Sequence, residues 1–402
     1  MPTQYAGNKY LLFFILTLLA AYPALSTDLY LPSLPAISAF YHCSNGIAEL
    51  TLTFYLIAFA FGLLLLGPLS DKIGRKYTLI LGNILFLASC IGSIFSLSII
   101  WLILLRIIQA LGACTATMTI YAVVRDLYIG KAATRLLSAI ATIMNIGVAF
   151  APVVGGILQE HFGWKSNFIA LSVYSALTLI MVTIFFRETL AETSKEALFN
   201  TQTFKNYYQL LVLKPYILPM IPVVLAFSSY FIFLYISPFL YIHTLGTSPA
   251  QYGRWFLIPA FAFVVGSAIA TALIQFLESY TIYKLGAITF VMGTILMLLG
   301  YLTASIQMPM LIALNMGICA IGIAMIIPSC VSLALSSITT KVGSASALIG
   351  FLQFGTAGLV GYSMSLNHHD LAFVMSATLM LFSIFCISMI GKIKKQQMLS
   401  DG

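Results

Sequence analysis

Apolar and polar positions alternate along this chain on a scale of tens of residues, and the short periods of an amphipathic helix or strand are subordinate to that rhythm. Apolar runs begin near Tyr10, Ile47, Tyr77, Ile100, Arg135, Asn167, Pro215, Tyr252, Tyr283, Pro309, Ala345 and Leu371, each closed by a polar break. About 20 residues of helix cross the roughly 30 Å of hydrocarbon in a bilayer. The pattern therefore predicts twelve membrane-spanning helices. The longest break, Arg187 to Leu213, holds Glu188, Glu192, Lys195, Glu196 and Lys205 and divides the spans six and six. This gives an N-terminal half over 1–190, a linker over 191–213 and a C-terminal half over 214–402. The first run follows Lys9 as a signal peptide would. It contains Pro23 and Asp28 and leads into eleven further runs, so it reads as a retained helix.

Composition fixes the solvent. Of 402 residues, 61% are apolar and 7% charged, whereas soluble domains carry roughly 25% charged residues. A water-facing surface cannot be covered from that supply, so the partner over most of the surface is lipid. The net charge of +8 is spread over short breaks and forms no stripe of the kind that tracks nucleic acid. Counted by side, sixteen of the 19 basic residues fall on one face and only Lys165 and Arg254 on the other. The excess of basic residues in cytoplasmic loops then places both termini in the cytoplasm. The six cysteines lie mostly within apolar runs and form no C-x-x-C pair, which suggests buried thiols. All five histidines fall on the outer side. The adjacent His368 and His369 read as loop residues, and no metal site is expected.

Two ionisable residues sit well inside predicted spans: Asp28 in the first and Arg106 in the fourth. At about 2.5–3.5 kcal/mol each on insertion scales, such residues face a protein interior or an aqueous cavity. Each lies six residues from the outer end of its run, roughly 9 Å deep at 1.5 Å per residue, so the two are expected at one height in one cavity. One reading is a buried ion pair that fixes helix packing. The other is a proton-coupling site in which Asp28 titrates, because a guanidinium cannot release its proton at physiological pH and Arg106 can only tune, pair or hold an anion.

The densest polar stretch between two apolar runs is Gly67-Pro68-Leu69-Ser70-Asp71-Lys72-Ile73-Gly74-Arg75-Lys76. It reads as a short cytoplasmic hairpin, and it resembles the G-x-L-a-D-r-x-G-r-k loop of the major facilitator superfamily. Ser26 to Pro35 (STDLYLPSLP) is similar to the first-span T-D-x-Y-L-P-x-x-P of the drug–proton antiporters of that superfamily, and of their Bcr/CflA group in particular. Leu105 to Gly112 resembles the fourth-span R-x-x-Q-x-x-G signature. Gly343 to Leu348 looks like the string that opens span eleven, and Arg187-Glu188-Thr189-Leu190 looks like the ending of span six. In the fifth span, Gly147, Ala151, Pro152, Gly155 and Gly156 approximate the exporters' G-x-x-x-G-P-x-x-G-G, with Ala151 where that motif has Gly. Small residues there permit close helix approach, and Pro152 removes a backbone hydrogen bond.

The resemblance implies an all-α membrane protein of the facilitator fold, with twelve transmembrane helices in two six-helix halves around a central cavity. It implies a proton-coupled antiporter that exports drugs or other small, largely apolar molecules from a bacterial cytoplasm across the inner membrane, acting as a monomer. No cofactor other than the proton is implied. In this reading Asp28 and Arg106 couple to protons, and Gly67, Asp71, Gly74, Arg75 and Lys76 form a conformational latch. Polar groups on the spans that would line the cavity are Tyr30, Gln109, Asn145, Tyr230 and Gln353, and the aromatic residues of span seven suit apolar or cationic cargo. A dedicated exporter of a metabolite or siderophore is the alternative, followed by a proton-coupled importer. An enzyme is disfavoured, because no metal-spaced His/Glu cluster, nucleophile motif or phosphate-binding Gly loop is present.

Overall fold

The computed structural model describes residues 8–190, 201–303, 308–338, 342–366 and 370–401. All regular structure among them is helical. The chain divides into two compact units, Met1–Asn200 and Thr201–Gly402.

In the first unit the chain runs through α1 (Lys9–Ala20), α2 (Tyr22–Asp28), a 3-10 turn (Leu31–Ser33) and α3 (Leu34–Phe40), which together form one span of 32 residues, Lys9–Phe40. The sequence placed the end of this span near Leu34. Pro32 and Pro35 fall in the first turns of new helical segments, where a missing N–H costs nothing, so the helix is re-aimed and continues. Next come α4 (Asn45–Leu65), α5 (Gly67–Ile73), α6 (Arg75–Ile94), α7 (Ile99–Leu127), α8 (Lys131–Phe162) and α9 (Lys165–Phe185). The expected polar hairpin is thus largely a helix. Pro68 starts α5, and Gly74 at φ 93° ends it and caps α6.

The second unit holds α10 (Thr201–Val212), α11 (Lys214–Pro238), a π-helical turn (Phe239–Thr244), α12 (Pro249–Leu273), α13 (Ser279–Leu302), α14 (Pro309–Ser336), α15 (Val342–Ser365) and α16 (Leu371–Asp401). The segment 191–213, expected as linker, therefore contains α10. Among the described residues, eleven spans are long and apolar enough to cross a membrane. The twelfth is α8, whose 32 residues, Pro152 among them, extend about 48 Å at 1.5 Å per residue.

Helix faces follow the solvent. On α9, Ile169, Val173, Leu177, Ile180 and Ile184 are exposed at helical spacing, a stripe that would be an adhesive patch in water and is the natural outer face in lipid. On the protein side, α6 and α7 close on a glycine pair: a Cβ on Gly112 would stand 2.6 Å from the Gly82 carbonyl oxygen and 2.8 Å from Phe86 N. The second unit repeats the device between α13 and α14, where a Cβ on Gly322 would meet the Gly286 carbonyl oxygen at 2.6 Å and Phe290 N at 2.5 Å. Two G-x-x-x-F helices each receive a facing glycine. This is structural repetition that the sequence shows only faintly.

Candidate functional site

Arg106 lies seven residues into α7 and is fully buried. Its guanidinium is stacked between two rings, with centroids 4.6 Å away at Tyr30 and 4.4 Å away at Tyr55. Tyr30 comes from the break between α2 and the 3-10 turn, and Tyr55 from the middle of α4. The Tyr30 hydroxyl is 2.8 Å from Thr51 Oγ1, which ties the first span to α4 at this height. Arg106 Nη1 donates to Gln109 Oε1 one turn further along α7, and Gln109 Nε2 contacts Cys90 Sγ on α6 at 2.9 Å. Nε and Nη2 have no partner, and neither has the buried hydroxyl of Tyr55. The cage thus offers a cation two aromatic faces and one amide. Cation–π contacts strengthen to about 2 kcal/mol or more when desolvated, but they supply no counter-charge.

Asp28 closes α2, two residues before Tyr30, and is 4% exposed. Its Oδ1 accepts from the neighbouring Thr27 hydroxyl at 2.8 Å. Asp28 and Arg106 do not form an ion pair; the guanidinium meets the Tyr30 and Tyr55 rings and Gln109 Oε1. The two sequence-predicted charges are near in height, since Tyr30 marks the level of Arg106, but the structure keeps them apart. The packing ion pair is not made.

Of the other cavity candidates, Tyr30 and Gln109 belong to the cage. Asn145 is on α8, and its side chain lies outside the described residues. Tyr230 on α11 packs against Phe263 of α12 with centroids 5.5 Å apart, and Gln353 is a half-buried residue of α15; both belong to the second unit. In the exporter-like string of α8, the contact is made at Gly155. A Cβ there would lie 2.0 Å from the carbonyl oxygen of Leu29, so α8 presses directly on the backbone beside Asp28. Ala151, Pro152 and Gly156 are buried, and Gly147 is exposed with open space beside it. His368 and His369 lie outside the described residues.

The loop from Gly67 to Lys76 builds a second cluster. Arg75, 1% exposed, donates from Nη1 to Asp71 Oδ1 at 2.6 Å and to Ser70 Oγ at 3.0 Å, and from Nε to Asp126 Oδ2 at the end of α7 at 2.9 Å. Thr189 Oγ1 donates to Asp126 Oδ2 at 3.3 Å. Glu188, just past α9, accepts the backbone N–H groups of Arg75 at 2.9 Å and of Lys76, Thr189 and Leu190 at 3.0 Å. It is a capping carboxylate for α6, supplied from more than a hundred residues away. Burial works to raise its pKa, but the four backbone donors outweigh that and hold the carboxyl below its ordinary value. Gly74 is where the two meet: a Cβ there would stand 2.6 Å from Glu188 Oε2. The sequence assigned no contact to Asp126 or Glu188; the signals were the Arg187-Glu188-Thr189-Leu190 string at the end of span six and, at both places, an acid directly after an arginine, Arg125-Asp126 and Arg187-Glu188.

The sequence pattern described as Major Facilitator Superfamily matches residues 14–362. The chain belongs to that superfamily. Among relatives, it is 25% identical to a bicyclomycin resistance protein homolog of Haemophilus influenzae over 91% of this chain and 92% of that protein. It is also 25% identical to the multidrug resistance protein MdtL of a Shewanella species, over 94% of each. Among solved structures, a D-xylose-proton symporter superposes with a TM-score of 0.74 at 17% identity, covering 94% of this chain and 97% of that one, a likeness of fold. This facilitator is a multi-pass membrane transporter and not an enzyme.

Proposed function

We propose that this facilitator exports drugs or other small, largely apolar molecules by proton antiport, as a monomer in a bacterial inner membrane with both termini in the cytoplasm. The observation that carries the reading is Asp28: a carboxyl inside a span, 4% exposed, with one neutral hydroxyl as partner and no cation. Burying an isolated carboxylate is costly, so such a group is enclosed more cheaply as the acid and ionises when water reaches it. A cycle that opens the site to either side in turn converts this into proton uptake outside and release inside. The resistance proteins among the relatives support drugs as the cargo class.

The driving force is sufficient. One proton gains about 2.3 kcal/mol per 100 mV and about 1.4 kcal/mol per pH unit, together enough for a solute gradient of several hundredfold. The test is bicyclomycin transport in proteoliposomes under an imposed pH gradient. Wild-type protein should move bicyclomycin against its gradient, and Asp28→Asn should abolish that movement while retaining part of the binding. Undiminished gradient-driven transport by the Asn variant would remove Asp28 from the proton path. Solute movement in the direction of the proton would make the protein an importer.

A further inference from the structure

The first unit holds another intramembrane carboxyl. Glu49 is the fifth residue of α4 and is 3% exposed. It has no hydrogen-bond or ion-pair partner among the described residues, and no charged or titratable group of any element packed on α4 acts on it. A packing role does not account for it, since an enclosed carboxyl without a donor destabilises where a Leu or Met would not.

Its place relative to the Arg106 cage is set by α4. Thr51, two residues on, bonds Tyr30, and Tyr55, six residues on, stacks on Arg106. Six residues are about 9 Å of helix. Glu49 therefore stands on the α4 N-terminal side of the cage, the outer side in the sequence-derived orientation, while Asp28 stands about 3 Å past Tyr30 on the other side at the same rise per residue. A fixed cation without a counter-ion lies between two carboxyls without cations.

We infer that Glu49 is a second proton-carrying group of the transport cycle, so that each solute exchanges for two protons, one on Asp28 and one on Glu49. Each carboxylate takes a proton from the outer water and, unchanged otherwise, returns it to the cytoplasmic water when the cycle exposes it there. This rests on the proton-antiport reading above, and the tests separate the two.

The first test needs no solute. Infrared difference spectra of the protein in lipid, between acid and alkaline buffer, should show a protonated-carboxyl band that is absent in Glu49→Gln and present in Asp28→Asn. Identical spectra for wild type and Glu49→Gln would overturn the inference. The second test uses bicyclomycin, which is uncharged, in proteoliposomes clamped at zero voltage with a pH difference of one unit. One proton sustains a tenfold gradient and two sustain about a hundredfold one. Wild type should reach about a hundredfold and Glu49→Gln about tenfold, with Glu49→Asp restoring the wild-type ratio and bicyclomycin equilibrium exchange preserved in all three. A tenfold ratio in wild type, an unchanged ratio in Glu49→Gln, or loss of equilibrium exchange in that variant would each sink the second proton. A wild type that sustains no pH-driven gradient would instead overturn the antiport reading, and the infrared arm would still decide whether Glu49 titrates.

Discussion

Arg106 presents an unusual balance for a buried cation: two ring faces and one amide, and two N–H nitrogens with nothing to receive them. The rings carry the interaction and the Tyr55 hydroxyl does not, because it is buried without a partner. A buried unsatisfied polar group costs about 1–3 kcal/mol. Tyr55→Phe should therefore leave the melting temperature of the purified protein unchanged or raised, whereas Tyr55→Leu, which removes the π face, should lower it. A lower melting temperature for Tyr55→Phe would mean that the hydroxyl has a partner in the working protein. Asp28 and Arg106 were legible in the sequence because lipid makes any charge conspicuous. Glu49 was not. Lying close to the start of its run it looks like an interfacial residue, and only the folded structure shows it buried.

At the scale of elements, the turn between α5 and α6 joins three separate stretches of chain. Gly74 adopts φ 93°, Arg75 reaches Asp71 and Asp126, and Glu188 returns from the end of α9 to accept the first free N–H groups of α6. The sequence showed the glycine and the charges but not the capping acid, because nothing local connects positions 74 and 188. Glu188→Ala should cost about 1–2 kcal/mol, in the range for loss of a helix cap. Gly74→Ala should cost about 1–3 kcal/mol, the range for a non-glycine residue held at positive φ with extended ψ. The added methyl also displaces the Glu188 carboxylate, so the double variant should lose less than the sum. Strict additivity in denaturation measurements would show that the two do not act through one contact. The pH dependence has a definite sign. The folded-state pKa of Glu188 is depressed, so its stabilisation is fully present above the ordinary carboxylate value of about 4.3 and is lost only as pH falls through the lower folded value. The stability difference between wild type and Glu188→Ala should stay flat from neutral pH down to that range.

Across the whole molecule, chemistry is unevenly shared. The number of spans and their six-and-six division could be read from run lengths, and the glycine pairs at Gly112 and Gly322 show the two units using one packing scheme. Yet the buried charged residues among those described, Asp28, Glu49, Arg75 and Arg106, all belong to the first unit. The second unit has aromatic clusters but no buried charge among its described residues, as in the group of Phe227, Phe231 and Phe354, in which Phe227 lies 5.0 Å from each of the others. On the proposed function, the division of labour puts proton coupling in the first unit and selection of apolar cargo in the second. Aromatic pairs contribute about 0.5–1.5 kcal/mol beyond their buried area, which corresponds to roughly two- to tenfold in affinity. Phe227→Ala should thus shift the apparent affinity for a panel of apolar drugs within that range, and unequally across the panel. If transport is proton-coupled as proposed, it should leave unchanged the solute ratio sustained by a fixed pH difference, because neither Asp28 nor Glu49 has been touched. A variant whose sustained ratio falls while its drug affinities hold would place part of the coupling machinery in the aromatic unit, against the separation that the buried charges indicate.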